Sequence, residues 1–162
     1  MTARAGETRI HQADGRKIAM YKNILIPLDI NDPDNAEAAL AHGAFLAKTS
    51  GAQLHLAHVR LQLPRTYARY LPEGWDTQDK ADCQKWLAQQ AELLDLPRQQ
   101  ISLHLRQGSI AQQILELSEE LDADIIIIGS HMPSIGSRIL GSNASATVRD
   151  AQVSVLVVRN RK

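Results

Sequence analysis

Small and hydroxyl-bearing residues crowd one segment of this chain in an order that suits the binding of a phosphate. Between Ile125 and Ser145 the sequence reads IIIIGSHMPSIGSRILGSNAS, so that Gly129, Ser130, Gly136, Ser137, Gly141, Ser142, Asn143 and Ser145 follow an apolar run. A helix starting near Asn143 would aim its unpaired N–H groups and its positive dipole end at an anion held beside that run. Gly136 to Asn143 matches a phosphate-cradling P-loop only in part. No lysine precedes Asn143, and Asn143 replaces the Ser or Thr of the pattern, so the charge that grips a β or γ phosphate in a Walker-type NTPase is missing.

A second candidate is Asp29, which closes the apolar run NILIPLD. A carboxylate there could accept hydrogen bonds from a ribose hydroxyl or an adenine amino group and would repel a phosphate; equally, it could be a solvated turn residue. Other chemistries lose a key residue. LDINDPDN is acidic where a flavodoxin needs a hydroxyl-rich phosphate loop, and LHLRQG offers no phosphoacceptor aspartate for a response-regulator receiver. No Gly-x-Ser-x-Gly elbow is present for Ser-His-Asp catalysis. Of the six histidines only His55 and His58 are close in sequence, and three apart on a strand they point to opposite faces, so no metal site is expected. His131, with no partnered carboxylate or nucleophile evident, reads as a surface residue or a phosphate contact.

The elements that must position these residues follow from periodicity. Four consecutive isoleucines, Ile125 to Ile128, predict a parallel strand buried on both faces. Asn23 to Asp29 and Gln53 to Val59 predict two more, Gln100 to Arg106 an alternating strand nearer an edge, and Val153 to Val158 a fifth. Between the first two, Asp32 is placed to cap a helix with Pro33 at its first position; Ala36, Ala39, Leu40, Gly43, Ala44 and Ala47 recur at helical spacing until Gly51. Arg60 to Asp76 is expected to be irregular, and Thr77 to Leu94 helical with Ala81, Trp86, Leu87, Ala91 and Leu94 inward. Ser109 and Gln112 read as a capping box for a helix through Ile110, Ile114, Leu115 and Leu117, and Asn143 to Asp150 as a short final helix. The alternation of strand and helix predicts a single-domain, doubly wound α/β fold: a five-stranded parallel sheet with helices on both faces. Ligands of such sheets bind beyond the carboxyl ends of the strands, where Asp29 and Gly129 both emerge.

Composition sets the remaining bounds. The chain has 162 residues, room for one sizeable core. Its 18 Lys plus Arg balance 18 Asp plus Glu, which leaves no basic field for nucleic acid. The longest apolar runs fall far short of the roughly 20 residues of a membrane span, so no membrane insertion is expected. Cys83 is the single cysteine and reads as a structural thiol within a helix. Residues 1–19 are polar, lack an apolar leader core and read as a flexible N-terminal arm, with residues 20–162 forming the domain. Met20, directly before Tyr21 and Lys22, is a second candidate start of translation. The last strand is rich in β-branched residues and would lie at the sheet edge, so its pairing with a second copy is expected to form a homodimer, or part of a tetramer.

Taken together, ILIPLD, the AHV ending of the second strand, IIIIGSH, LGSNAS and VLVVR resemble the universal stress protein family over Tyr21 to Arg159. The resemblance implies a sheet in the order 3-2-1-4-5, the same dimer, and ATP binding through a Gly-x-x-Gly-x9-Gly-Ser/Thr signature. Here Met132 stands where the second glycine is usual, and eight residues separate it from Gly141; this shorter loop, with its Gly-Ser-Asn-Ala ending, resembles the bacterial F and G types. Carried over, Asp29 would meet the ribose or adenine, Pro27 and Leu28 would shape the base pocket, and Val59 would line its apolar wall. Gly129, His131, Met132, Gly141, Ser142, Asn143 and Ala144 would surround ribose and phosphates. The implied protein is a cytoplasmic stress-response module that binds ATP, with or without Mg, acts through a protein partner and is not an enzyme. A ligand-free dimeric interaction protein, or a weak ATPase or autophosphorylating protein, stands as the alternative.

Overall fold

A computed structural model of the chain describes residues 20–130 and 141–159. The expected N-terminal arm, 1–19, lies outside the described residues, as do His131 and Met132. The strands are β1 (Asn23–Pro27), β2 (Gln53–Arg60), β3 (Ile101–Gln107), β4 (Ile125–Ser130) and β5 (Ser154–Arg159). The helices are α1 (Pro33–Ser50), α2 (Arg65–Ala68), α3 (Trp75–Glu92), α4 (Ile110–Glu120) and α5 (Ser142–Asp150). All strand pairs are parallel, in the order β3-β2-β1-β4-β5, so the fold class and strand order stand as expected.

The isoleucine run is divided by the two-residue period of a strand. Ile125 and Ile127 join Ile24, Ile26, Leu54 and Leu56 beneath α1 and α3, while Ile126 and Ile128 join Leu25, Ala57 and Val59 beneath α4. Burying each such side chain contributes about 1.5–3 kcal/mol, and central strands apolar at every position are what two-sided burial requires. Asp124 ties the strand starts together, its Oδ2 accepting from the backbone N–H groups of Lys22 and Asn23 at 2.6 and 2.8 Å.

Two glycines let α1 approach the sheet. A Cβ at Gly43 would fall 2.2 Å from Ile26 Cδ1, and one at Gly129 would fall 2.1 Å from the backbone oxygen of Asn35. The second contact is the more rigid because its partner is backbone. Gly129 therefore admits the first turn of α1 against the end of β4.

The local expectations differ from the structure in instructive places. Neither Asp32 nor Ser109 makes a side-chain cap. Asp32 Oδ2 instead accepts from Asn35 Nδ2 at 2.6 Å, and Gln112 donates to Glu116, one turn on, at 2.7 Å; a nearby side-chain partner competes with the backbone for each group. In α3 the buried positions are Cys83, Leu87 and Ala91, with Ala81 exposed, because the face is set by the four-residue step back from Leu87. The excursion after β2 holds the short helix α2.

On the α4 face, His55 Nδ1 lies 3.1 Å from His104 Nε2 across β2 and β3. Burial, then mutual repulsion, lowers the pKa of His55; burial, then Arg106, lowers that of His104, with Glu120 acting in the opposite direction.

Two outcomes follow. Gly129→Ala should lower stability by about 1–3 kcal/mol, as overpacking of a rigid contact does, whereas Gly141→Ala, with nothing within 4 Å of its Cβ among the described residues, should change it by less than about 0.5 kcal/mol; urea denaturation of both checks this. Because the folded pKa of each histidine lies below its ordinary 6.5, the unfolded chain takes up protons first. Stability should be full above about pH 6.5 and fall as pH drops below it, with a shallower fall in His104→Gln when denaturation midpoints are compared across pH.

Candidate functional site

After β1 comes α1 on one face of the sheet, α5 packs on the other, and between the two a cleft opens at the carboxyl ends of the strands. Its volume is about 880 Å³, within the range of small-molecule sites. Pro27 ends β1, Leu28 and Asp29 follow it, Val59 comes from β2, Gly129 from β4, and Gly141, Ser142, Asn143 and Ala144 from the start of α5; all nine line the cleft. His131 and Met132, expected beside them, lie outside the described residues.

Each wall has its own chemistry. Gly141 is the N-cap of α5, and the first intrahelical bond runs from Ser145 N–H to Gly141 O at 2.8 Å. The N–H groups of Ser142, Asn143 and Ala144 thus precede the helix's own ladder, at its positive end, where an anion is stabilised. Across the cleft Asp29 is exposed, its Oδ1 accepting from Asn31 N–H and Nδ2 at 2.9 and 3.2 Å. It is therefore a turn residue on one oxygen, and Oδ2 makes no hydrogen bond among the described residues. Val59, Ile128, Ile110 and Ile114 supply an apolar wall on the α4 side.

Leu28 is held from both directions. Its N–H donates to Ala57 O at 2.7 Å, and its carbonyl accepts from His58 Nδ1 at 2.9 Å. Since a carbonyl only accepts, His58 carries its proton on Nδ1; its ring meets Trp86 edge-on at 5.8 Å between centroids.

Sequence reasoning missed the residues that enter the cleft from α1, α3 and the end of β2. Arg60 is 7% exposed, with Nε 2.6 Å from Asp79 Oδ2 and an Nη 2.5 Å from Asp76 Oδ1. Desolvation opposes its charge, but the two carboxylates more than offset that and raise its pKa. Arg60 is thereby neutralised within the protein and bolts the start of α3 to the end of β2. The signal was an arginine directly after a buried strand, with carboxylates three apart downstream. Asn35 is 5% exposed on the cleft wall, its Nδ2 on Asp32 and its Oδ1 without a partner among the described residues. Cys83 is buried, and desolvation, then Asp79, pushes its thiol pKa up, away from reactivity. Among the described residues no group of three or more His, Cys, Asp or Glu is gathered for a metal.

This arrangement can hold an anion at one end, hydroxyl or amino donors at the other and an apolar ring between. Comparison with known proteins points the same way as the fold. The universal stress protein family matches residues 20–159. The chain is 36% identical over 145 residues to universal stress protein G of Escherichia coli O157:H7 and 37% identical over 148 residues to that of Salmonella typhimurium, covering 86% of this chain and all of each relative. Among solved structures, hypothetical protein MJ0577 superposes with a TM-score of 0.71 at 23% identity, over 88% of this chain and 99% of that one. A universal stress protein in complex with cAMP gives 0.59 at 18% identity, over 86% and 97%. The Archaeoglobus fulgidus universal stress protein in complex with dAMP gives 0.61 at 21%, over 86% and 98%. At these identities the structures show the shared fold. With a family match over the whole sheet and relatives of the G type at more than one third identity, the chain belongs to the universal stress protein family.

Proposed function

We propose that the cleft binds an adenine nucleotide, with its phosphates on the N–H groups of Ser142, Asn143 and Ala144 and its ribose or adenine donors on Asp29. The observation that carries this reading is the opposition of a helix N-terminus and a carboxylate across one crevice at the switch point of a parallel sheet. It is supported by the universal stress proteins solved with cAMP and dAMP. ATP, with or without Mg at its phosphates, is the ligand proposed, with Pro27 and Leu28 shaping the base pocket, Val59 on its apolar wall, and Gly129, His131, Met132 and Gly141 around ribose and phosphates. Universal stress proteins are generally not enzymes, and the role proposed is that of a cytoplasmic stress-response module that changes its interactions with a protein partner when the cleft fills. Among the described residues no helix is long and apolar enough to cross a membrane.

Asp29→Ala and Gly141→Val should each weaken ATP binding by about tenfold or more, equivalent to about 1.4 kcal/mol, when measured by calorimetry. The structure makes these substitutions informative, since Asp29 is exposed and a Cβ at Gly141 would meet nothing within 4 Å among the described residues. Parent-like affinity in both folded variants would overturn the pocket.

We propose in addition that β5 pairs with its mate in a second copy. It lies at the sheet edge, and Val155, Leu156 and Val157 remain only half-buried; an apolar edge strand is a template for further pairing. Val157 packs in neither core cluster. Val157→Lys should therefore shift sedimentation from dimer to monomer at micromolar concentration without unfolding the chain. A monomeric parent would contradict this assembly.

A further inference from the structure

The histidine pair on the α4 face is separate from the cleft, and the spacing of its facing nitrogens matches that of two ligands on one cation. His55 sits on β2 at 8% exposure and His104 on β3 is half-buried; their facing nitrogens, Nδ1 and Nε2, are 3.1 Å apart. Two imidazoles bound to one cation at about 2.0–2.1 Å have donor nitrogens roughly 2.9 Å apart at a right angle and about 3.4 Å apart at the tetrahedral angle. The observed separation falls between these values.

The far side of His55 is arranged as metal-ligating histidines require. Asn23 Nδ2 donates to the Asp122 carbonyl at 3.4 Å, which turns Asn23 Oδ1 toward His55 Nε2, also at 3.4 Å. An amide oxygen only accepts, so Nε2 carries the proton of neutral His55 and Nδ1 presents its lone pair toward His104. Without a cation, His104 Nε2–H donates into that lone pair. For a cation to bind, His104 takes its other neutral tautomer, with the proton on Nδ1, so that each of the facing nitrogens offers a lone pair. The charged groups around the pair are Arg106, on the same strand as His104, and Glu120 at the end of α4, which Arg106 engages through both its terminal nitrogens. The carboxylate compensates the guanidinium that would otherwise repel a cation.

We propose that His55 and His104 form a two-histidine site for a divalent d-block cation of the zinc, copper or nickel class, the ions that imidazole favours, with Asn23 as the positioning residue and water completing the shell. Zn²⁺ titrated by calorimetry into the full chain at pH 7.5 should bind at one equivalent per chain through these residues. His104→Gln and His55→Gln should each weaken that equivalent by about tenfold or more, and Asn23→Ala by about tenfold. A variant lacking His11, His42 and His131 should retain it, which separates this site from other histidines. Cu²⁺ bound to the parent should show superhyperfine splitting from two ligating nitrogens, and in His104→Gln the splitting of one, a signature that loss of packing alone does not produce. If His55→Gln fails to fold, the half-buried His104→Gln and the Cu²⁺ spectrum decide the matter. Absence of a one-equivalent site in the parent, or unchanged affinity in folded His104→Gln, would reduce the pair to a hydrogen bond between neutral histidines and overturn the proposal.

Discussion

The cleft exists because β1 and β4 lie side by side in parallel while α1 and α5 pack on opposite faces of the sheet. Every other feature of the site depends on that divergence, and the contact that sets it is Gly129 against the Asn35 carbonyl, where a single added carbon would meet backbone at 2.1 Å. With α1 seated there, Asp29 and Asp32 are brought to one lip of the crevice. α5 packs on the other face, and its first turn reaches the opposite lip. A strand order that placed another strand between β1 and β4 would keep the same helices and lose the crevice.

Electrostatics then divides the cleft into unlike ends. Asp29, Asp32, Asp79 and Asp82 line one side, and Arg60, which could have drawn phosphate toward them, is already matched by Asp76 and Asp79. The N-terminus of α5, by contrast, has neither a side-chain cap nor an acidic residue in its first turn. A ligand with hydroxyls or amines at one end and negative charge at the other would therefore be oriented by the two ends rather than merely accommodated. The pairing of Arg60 also gives α3 a fixed start at the cleft edge, after an excursion whose residues Leu61, Tyr67 and Tyr70 stay exposed.

Much of this was legible in the chain. The isoleucine run announced a two-sided strand, the alternation of strands and helices announced the sheet, and Asp29 with Gly141 to Ala144 announced the lips of the cleft; all nine described residues expected there line it. The strand order came from the family resemblance, since no periodicity tells one parallel neighbour from another. What sequence reasoning missed depends on register between elements. Arg60 meets Asp76 and Asp79 only once α3 is laid along β2. His55 was weighed against His58, its neighbour in sequence, yet its partner is His104, placed by the pairing of His58 with Leu105 and Ala57 with His104. The caps at Asp32 and Ser109 failed for a local reason, because Asn35 and Glu116 compete for the capping groups or their partners. The inward face of α3 was displaced because Cys83, a small apolar thiol, outranked Ala81 for the core.

The central claim is that the lips of this crevice close on one adenine nucleotide. The most direct test is amide NMR of the labelled full chain titrated with ATP and Mg²⁺, which reads each backbone N–H separately. The account predicts that the largest shifts fall on Ser142, Asn143 and Ala144, with a second group at Asp29 to Asn31 and at Gly129, and little change along β3. Shifts confined to other surfaces, or none at millimolar ATP, would contradict it.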